Sequence, residues 1–276
     1  TACLDSGDSK QNIDLVSVTP MELKERTRFL QSLKVDMQVT PSYRNAPCVR
    51  EVFKSQPVPP VTICFIFVSG MKSMLQDESK RSVASGVMHV IRECVCQCLD
   101  TWHGYECERN IDGFVLAFHS ASDCIEFSVS LYRSVCDSRI PGLDSGVSDV
   151  SIEPHTLLKI GVYSGPPSIV DAHPSTGRAM YAGPVMNRCA RIASLAPEGH
   201  ILTTSSVWSV ACETCVPGRF RPLGADGEHD GTSDGVWCSV QGWYTFKGVR
   251  QPFEIVHVQD SLLACVSLPA LPQQPK

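Results

Sequence analysis

The pattern of apolar and polar residues predicts short strands that alternate with amphipathic helices. Val61 to Val68 is a continuous apolar run rich in β-branched residues, which is typical of a central buried strand. Asp77 to Leu99 follows with the period of a helix. Two strand-like runs come next and flank Asn110-Ile111-Asp112-Gly113. Because Asp-Gly in that setting favours a tight turn, Tyr105 to Arg109 and Phe114 to Phe118 are predicted to form a hairpin.

The second half of the chain continues the same alternation. Its predicted elements are a helix from Ser122 to Val135, a strand from Leu157 to Tyr163, a helix from Val185 to Leu195, a strand from His200 to Thr204, and a hairpin of Trp243 to Lys247 with Phe253 to Val258. The order strand, helix, hairpin, helix, strand predicts a ferredoxin-like sandwich of the α/β (α+β) class. We expect a mixed or antiparallel sheet with helices on one face.

Changes in composition place the predicted folded domain at residues 57–262. Residues 1–56 are polar at first and then show a short helical pattern from Met21 to Leu33, which predicts a lead-in segment or linker helix. Residues 212–240 include a polar, Gly-rich stretch, and we expect an inserted loop there. Residues 263–276 are rich in proline and are expected to be disordered or extended.

Composition excludes several classes of protein. The chain has 276 residues, of which 43% are hydrophobic, so it can bury an ordinary core. Its net charge of -5 argues against a nucleic-acid partner. The sequence contains neither an apolar run long enough to span a bilayer nor a signal peptide. Because it begins with Thr1, we expect a segment of a larger intracellular protein.

The 14 cysteines have two explanations. Several lie inside apolar runs, as Cys64 does, and buried thiols that act as small hydrophobic groups are the favoured explanation. Cys212 and Cys215, with Cys238 nearby, are the alternative, because Cys-x-x-Cys spacing suits zinc. Without a second pair of cysteines this signal is weak.

The segment from Tyr181 to Arg191 is the most informative part of the sequence. A glycine, Gly183, precedes a predicted helix in which Asn187 and Arg191 are four residues apart. Residues at that spacing share a helix face, so one face offers an amide and a guanidinium together. Such a pair suits a ribose and a phosphate.

Five segments between Pro59 and Val258 resemble, in order, the catalytic domain of class III nucleotidyl cyclases, the adenylyl and guanylyl cyclases. They are Val61-Thr62-Ile63-Cys64-Phe65 (the opening strand), Glu108-Arg109-Asn110-Ile111-Asp112-Gly113-Phe114 (the metal hairpin), Lys159-Ile160-Gly161-Val162-Tyr163-Ser164-Gly165 (a central strand), Gly183 to Arg191 (the helix of the transition-state residues) and Phe246-Lys247-Gly248-Val249-Arg250-Gln251-Pro252 (the closing hairpin). Each segment is weak evidence by itself, but their common order makes the fold assignment specific.

The resemblance implies a reaction in which the ribose 3′-hydroxyl of a nucleoside triphosphate attacks the α-phosphate and pyrophosphate leaves. In the family, two Asp carboxylates hold two divalent metals, Mg²⁺ or Mn²⁺, at a site between two domains packed head to tail. The resemblance assigns Asn187 to the ribose, Arg191 to the charge that develops on the α-phosphate, and Lys247 to the phosphates. A solvated hairpin lysine explains Lys247 equally well.

The metal half of this set is incomplete. Asp112 falls at the hairpin carboxylate position, but Phe67 stands at the first-strand carboxylate position and Ile111 replaces the glycine before Asp112. One carboxylate is a poor site for two hard cations. Mg²⁺ or Mn²⁺ is therefore expected only if a partner supplies the missing carboxylate. Turn chemistry alone also explains Asp112.

Two further positions correspond to base recognition in the family. Glu108 stands where guanylyl cyclases have Glu, and a carboxylate accepts hydrogen bonds from the guanine edge. A solvated strand residue explains Glu108 equally well. Met180 stands where relatives have a residue that reads the base. Met180 is better explained as a core or loop-packing side chain.

Three hypotheses follow from this asymmetry. In the first, the domain pairs with a metal-competent cyclase domain and contributes Asn187 and Arg191 to a shared site that produces cGMP or cAMP. The resemblance implies a homo- or heterodimer with another cyclase domain. In the second, it is a pseudo-cyclase that serves dimerisation, regulation or structure. Both predict that the isolated chain is inactive. The third, an active homodimer with unusual metal binding, is the least favoured.

Overall fold

The structure, a computed structural model, describes residues 56–138, 157–172, 178–222, 235–249, 251–260 and 268–271. The predicted helix from Met21 to Leu33 lies outside these residues, as does most of the Pro-rich tail. Within the tail, Leu271 is buried against the core. Among the described helices, none has the length and apolar character needed to cross a bilayer.

Ten strands and five helices make up the described fold. The strands are β1 (Val61–Val68), β2 (Tyr105–Asn110), β3 (Gly113–Phe118), β4 (Leu158–Gly165), β5 (Ile169–Ala172), β6 (Ala179–Ala182), β7 (His200–Thr204), β8 (Phe220–Pro222), β9 (Val236–Tyr244) and β10 (Phe253–Gln259). The helices are α1 (Met71–Gln76), α2 (Arg81–Thr101), α3 (Ala121–Asp137), α4 (Pro184–Leu195) and α5 (Ser205–Thr214).

Eight of these strands form one mixed sheet in the order β2-β3-β1-β4-β7-β10-β9-β8. The pairs β4/β7 and β8/β9 are parallel, and the other neighbours are antiparallel. The buried β1 run lies between β3 and β4, as its continuous apolar sequence predicts. The predicted hairpin of β2 and β3 forms with Ile111 and Asp112 as its turn. The mixed α+β sandwich is therefore confirmed.

Helices cover both faces of the sheet, so the prediction of helices on one face is wrong. Cys64 of β1 faces α3, where its Sγ lies 3.9 Å from the Ser128 Oγ. Val162 of β4 is in register with Cys64 and faces the same side, so the adjacent Gly161 faces the opposite side. There Gly161 packs against Ala193 of α4. The missing side chain at Gly161 is the physical reason that α4 can lie on this second face.

Several segments that look irregular in sequence are ordered. The predicted loop over residues 212–240 is wrong at both ends, because α5 extends to Thr214 and because β8 pairs with β9, which begins at Val236 rather than at Trp243. The side chains of Phe220 and Val236 are buried. The Arg219 Nη2 also donates to the Glu126 Oε2 of α3 at 2.7 Å, which ties the segment to the core.

Two other boundaries differ from the prediction. The helix predicted from Asp77 to Leu99 corresponds to α2, which begins at Arg81 and ends at Thr101, and the short helix α1 precedes it at Met71–Gln76. Asp77 accepts a hydrogen bond from the Ser79 backbone N–H at 3.0 Å and closes a turn between the two helices. Between β4 and α4, where the sequence pattern predicts no element, lies the separate ribbon of β5 and β6. Exposed β5 residues lack the apolar alternation that identifies a strand in sequence.

Buried thiols account for most of the described cysteines, as favoured from the sequence. Cys64, Cys124 and Cys189 are fully buried around the centre of the sheet. Burial raises the pKa of the Cys124 and Cys189 thiols well above their usual range. These groups therefore stay protonated and pack as small hydrophobic side chains.

A pair of buried histidines joins β7 to β10. The Nδ1 of His200 lies 3.0 Å from the Nε2 of His257, and both rings are buried. The Nδ1 of His257 is buried without a hydrogen-bond partner in the described structure. Burial and the neighbouring His200 lower the pKa of His257 from 6.5 to about 3. The folded state therefore holds His257 neutral at pH values where an unfolded chain protonates it.

This pair predicts that the domain loses stability in mild acid. A depressed histidine pKa contributes stability above about pH 6.5, which is lost as the pH falls toward the folded value. The loss is on the order of 1.4 kcal/mol per pH unit within that window. We expect urea unfolding at about pH 7.5 and about pH 5 to show a smaller pH dependence for His257→Gln than for the native chain. The exposed His119→Gln is the control, and an unchanged pH dependence in His257→Gln would contradict the assignment.

Candidate functional site

The N-terminus of α4 is shaped by Gly183 and Pro184. Gly183 has φ +118°, a region that favours glycine, and a Cβ at this position would lie 2.5 Å from the Ser168 Oγ. Pro184 follows in the first turn of α4, where its missing N–H costs no hydrogen bond. The helix then presents Asn187 and Arg191 to solvent on one face.

A pocket of about 490 Å³ lies between the start of α4 and the loop that joins β9 to β10. It is lined by Pro184, Asn187, Arg188, Gly248, Val249 and Gln251. Lys247 is exposed and directly precedes Gly248 in this loop. The structure thus brings Asn187 together with the loop of Lys247, while Arg191 lies one turn further along α4.

Arg188 is a pocket residue that the sequence reading missed. Its Nη1 donates to the Tyr163 Oη at 3.0 Å, and its guanidinium lies 5.8 Å from the Tyr163 ring centroid and 5.5 Å from that of Phe253. Two aromatic rings therefore hold a positive charge at the pocket wall. The sequence does show an arginine directly after Asn187. It does not show that this arginine lies at the pocket wall, because its aromatic partners come from two strands that are distant in sequence.

At the β2–β3 hairpin the carboxylate of Asp112 already has a cation. The Nζ of Lys72 in α1 lies 2.8 Å from the Asp112 Oδ2. The Val68 backbone N–H donates to the Asp112 carbonyl at 2.7 Å, which fixes the turn against β1. Phe67 is half-buried and is in register with Gly113, directly beside Asp112. The one acidic side chain of this turn is therefore paired with an ammonium, and the neighbouring position on β1 holds a phenylalanine that offers no oxygen.

Ile111 occupies the tip of the same turn without requiring the left-handed backbone conformation. Its side chain is 62% exposed. Among the described non-glycine residues, positive φ occurs at His103 and not at Ile111. Isoleucine in place of glycine is therefore tolerated at this position, because the turn places Ile111 in solvent with an ordinary backbone.

A buried carboxylate anchors the β5–β6 ribbon to the edge of the main sheet. Glu106 of β2 accepts hydrogen bonds from Arg178 and Arg109, with 2.5 Å from its Oε1 to the Arg178 Nη1. The Ala179 N–H donates to the Tyr105 Oη at 2.9 Å. These contacts hold Met180, the next residue, beside β2. Sequence reasoning missed this network, since its members are separated by about 70 residues.

Comparison with known proteins gives a consistent result. No family model matches the chain. An adenylate cyclase of Mycosarcoma maydis is 28% identical over 167 residues, which are 57% of this chain and 6% of that protein. A structure of adenylate cyclases from Trypanosoma brucei in their monomeric state matches with TM-score 0.59 and 13% identity, over 80% of this chain and 97% of that one. The guanylate cyclase domain of RhGC from Catenaria anguillulae in complex with GTP matches with TM-score 0.53 and 14% identity, over 72% and 96%.

The fold is that of a class III nucleotidyl cyclase catalytic domain. At these identities the solved structures establish the fold alone. The chain spans 6% of the length of its curated relative, so it corresponds to a small part of that protein.

In this cyclase-fold domain, Glu108 and Met180, the two positions that the sequence predicts for base recognition, are both accessible. Glu108 is exposed and is in register with Val115, which is in turn in register with Phe65. Because the neighbouring Cys64 faces α3, these three residues face the other side of the sheet, where α4 lies. Met180 is 40% exposed on β6, so of the two expected alternatives it is not a core residue, and packing against a loop stays a prediction. Its neighbours in β6 alternate inward, which leaves Met180 on the outer side of the ribbon.

The zinc alternative finds no support among the described residues, which contain no group of three or more metal-binding side chains. Cys212 and Cys215 lie at the C-terminal end of α5, and the Cys215 Sγ donates to the Cys212 carbonyl at 3.4 Å. Burial, with Cys215 and Glu213 nearby, raises the pKa of Cys212. Both effects disfavour the thiolate that zinc requires.

A two-metal centre does not fit the residues at the β2–β3 hairpin of this cyclase-fold domain. The donor set consists of the carboxylate of Asp112, which is paired with Lys72, while Phe67 offers no oxygen. Mg²⁺ and Mn²⁺ prefer several oxygen ligands, and an adjacent ammonium repels them. Among the described residues, this hairpin therefore does not by itself provide the ligands for such a centre.

Because Phe67 offers no oxygen and Lys72 repels cations, we expect that replacing both residues creates a metal site. Phe67→Asp with Lys72→Ser should give a saturable Mn²⁺ site, measured from the loss of the free Mn²⁺ signal in electron paramagnetic resonance. The native chain should bind Mn²⁺ at least about tenfold more weakly. The same is expected of the control, Phe67→Ser with Lys72→Ser, which loses the same ring and lysine without gaining a carboxylate. Equal Mn²⁺ affinity in all three proteins would contradict the account of Lys72 and Phe67.

Proposed function

We propose that this domain is one half of a composite nucleotidyl cyclase site and acts with a partner domain that supplies both metal carboxylates. The observation that supports this proposal most strongly is the asymmetry of the chain. Asn187 is exposed beside a pocket next to the Lys247 loop, whereas Asp112 is neutralised by Lys72 and Phe67 replaces the second carboxylate. Asn187 and Lys247 are therefore accessible to a substrate, whereas the hairpin lacks the pair of unpaired carboxylates that a metal centre needs.

In the composite site each residue of this chain has a defined task. Asn187 hydrogen-bonds the ribose, Arg191 stabilises negative charge on the α-phosphate as the 3′-hydroxyl attacks, and Lys247 binds the departing phosphates. Arg188 adds a positive charge at the pocket wall. The partner would bring Mg²⁺ or Mn²⁺ with its two carboxylates.

The proposed substrate is a nucleoside triphosphate, with GTP favoured over ATP. Glu108 is exposed, and its carboxylate accepts hydrogen bonds that the N1–H and amino group of guanine donate. Met180 offers an apolar surface against a base and no hydrogen bond. The product would be cGMP or, if the partner reads adenine, cAMP. We place the domain inside the cell, within a longer signalling protein that forms a homo- or heterodimer.

A mixing experiment tests the proposal. The 276-residue chain is assayed for cyclic-nucleotide formation with Mg²⁺ or Mn²⁺, first alone and then with metal-competent class III cyclase domains. We expect no turnover by the chain alone and turnover above that of the partner in the mixture. Turnover by the isolated chain would contradict the proposal.

The Lys72–Asp112 ion pair favours a second candidate function, that of a pseudo-cyclase. An ammonium in place of a metal neutralises the Asp112 carboxylate, so the turn needs no metal ion to balance this charge. In that role the fold would serve dimerisation or regulation. A heterodimer that forms but is no more active than the partner alone would support this candidate over the composite site.

A further inference from the structure

A second pocket, of about 350 Å³, lies where α1, α2 and the β2–β3 hairpin meet. Ser85, His89 and Arg92 line it from α2, spaced at three to four residues so that they share one helix face. Asn110 lines it from the hairpin, and Leu75 and Met88 are among its apolar residues. The pocket shares no lining residue with the pocket beside Asn187.

Arg92 is the feature of this pocket that requires an explanation. Its Nε is buried and has no hydrogen-bond partner in the described structure. A guanidinium remains charged at any physiological pH, so this donor cannot escape the cost of burial by losing its proton. Leaving a charged donor unsatisfied costs more than leaving a neutral one. The cost is recovered if an anion enters the pocket.

We propose that this pocket binds a phosphate group, as inorganic phosphate or as a phosphate ester. Arg92 supplies the charge, while Ser85, His89 and Asn110 supply hydrogen bonds from two different elements. Donors that converge from several directions suit a tetrahedral oxyanion better than a planar carboxylate, which accepts in one plane. The apolar side chains of Leu75 and Met88 lower the local dielectric and strengthen these contacts.

Neighbouring charges are compatible with an anion. Arg81 lies beside the pocket, where its Nε donates to the Leu75 carbonyl at 3.3 Å. The closest acidic side chain along the hairpin, Asp112, is paired with Lys72. Glu93 follows Arg92 on α2, but adjacent residues are roughly 100° apart around a helix and do not face the same side.

Phosphate titration of the 276-residue chain, labelled with ¹⁵N, tests the site directly. The Nε–Hε resonance of Arg92 should shift and saturate with inorganic phosphate, and acetate should bind at least about tenfold more weakly. Arg92→Gln should weaken phosphate binding, measured by calorimetry, by about tenfold or more, the equivalent of losing one charged hydrogen bond. The exposed Arg221→Gln should leave the affinity unchanged.

A second variant keeps the test valid if Arg92→Gln does not fold. Ser85→Trp places a large ring at an exposed lining position, so it should block the pocket while it retains Arg92. Absence of a saturable Arg92 shift at about 10 mM phosphate would overturn the proposal. It would also be overturned if phosphate bound to both Arg92→Gln and Ser85→Trp as tightly as to the native chain, or if acetate bound to the native chain as tightly as phosphate. Because the readout is binding to this chain alone, the result is independent of cyclase activity.

Discussion

Asn187→Ala and Arg191→Ala should each lower the kcat of an active mixture of this domain and a metal-competent partner by about 10²–10³-fold. Both side chains are exposed on α4, so we expect that truncating them leaves the packing of this chain undisturbed. The loss should therefore appear in the chemical step. A pre-positioned amide or guanidinium stabilises charge that develops only as the 3′-hydroxyl attacks.

Two measurements separate this effect from unfolding. The free energy of unfolding of both variants should stay within about 0.5 kcal/mol of the native value, because surface substitutions away from caps and ion pairs rarely change it more. Arg221→Ala removes an arginine that is exposed elsewhere and should leave kcat unchanged. If Asn187→Ala and Arg191→Ala leave the activity of the mixture unchanged, the partner-half hypothesis fails.

Gly161→Ala should destabilise the domain by about 1–3 kcal/mol and displace the helix that presents Asn187. A Cβ at Gly161 would lie 2.3 Å from the backbone N of Ala193 and 2.5 Å from its Cα. Neither is the end of a flexible side chain, so α4 itself must move. In an active mixture, a shift of about 1 Å at the reacting groups lowers kcat by about 10²-fold.

Gly165→Ala is the matched control on the same strand. There a Cβ would meet only side-chain atoms at 3.6 Å or more, which is ordinary van der Waals contact. We expect its free energy of unfolding, measured by urea titration, to lie within about 1 kcal/mol of the native value. Equal destabilisation by Gly161→Ala and Gly165→Ala would show that the close approach of α4 is not what position 161 requires.

Local sequence patterns were sufficient for the centre of the fold. β1 is apolar throughout because both of its faces are buried, and the Asp-Gly signal identified the β2–β3 hairpin. β7 was predicted over its observed range, His200–Thr204. The spacing of Asn187 and Arg191 identified the helix face that borders the first pocket. In each case the deciding information lies within about ten residues of sequence.

Features that depend on distant partners were not predictable in this way. The placement of α4 on the second face of the sheet depends on Gly161, and the charge of Arg188 is held by rings from β4 and β10. The Lys72–Asp112 pair joins residues 40 positions apart. β8 and the start of β9 lie in a polar, Gly-rich stretch and are stabilised by burial of a few apolar side chains and by Arg219. Tertiary contacts decide all of these features.

Rescue of a disabled cyclase tests the central claim most directly. A class III cyclase domain in which the Asn and Arg counterparts are replaced by Ala keeps both metal carboxylates, but its homodimer is inactive. After heterodimer formation is verified by light scattering, the account predicts that this chain restores cyclic-nucleotide formation and that Asn187→Ala or Arg191→Ala abolishes the rescue. A verified heterodimer that remains as inactive as its separate components would contradict the account.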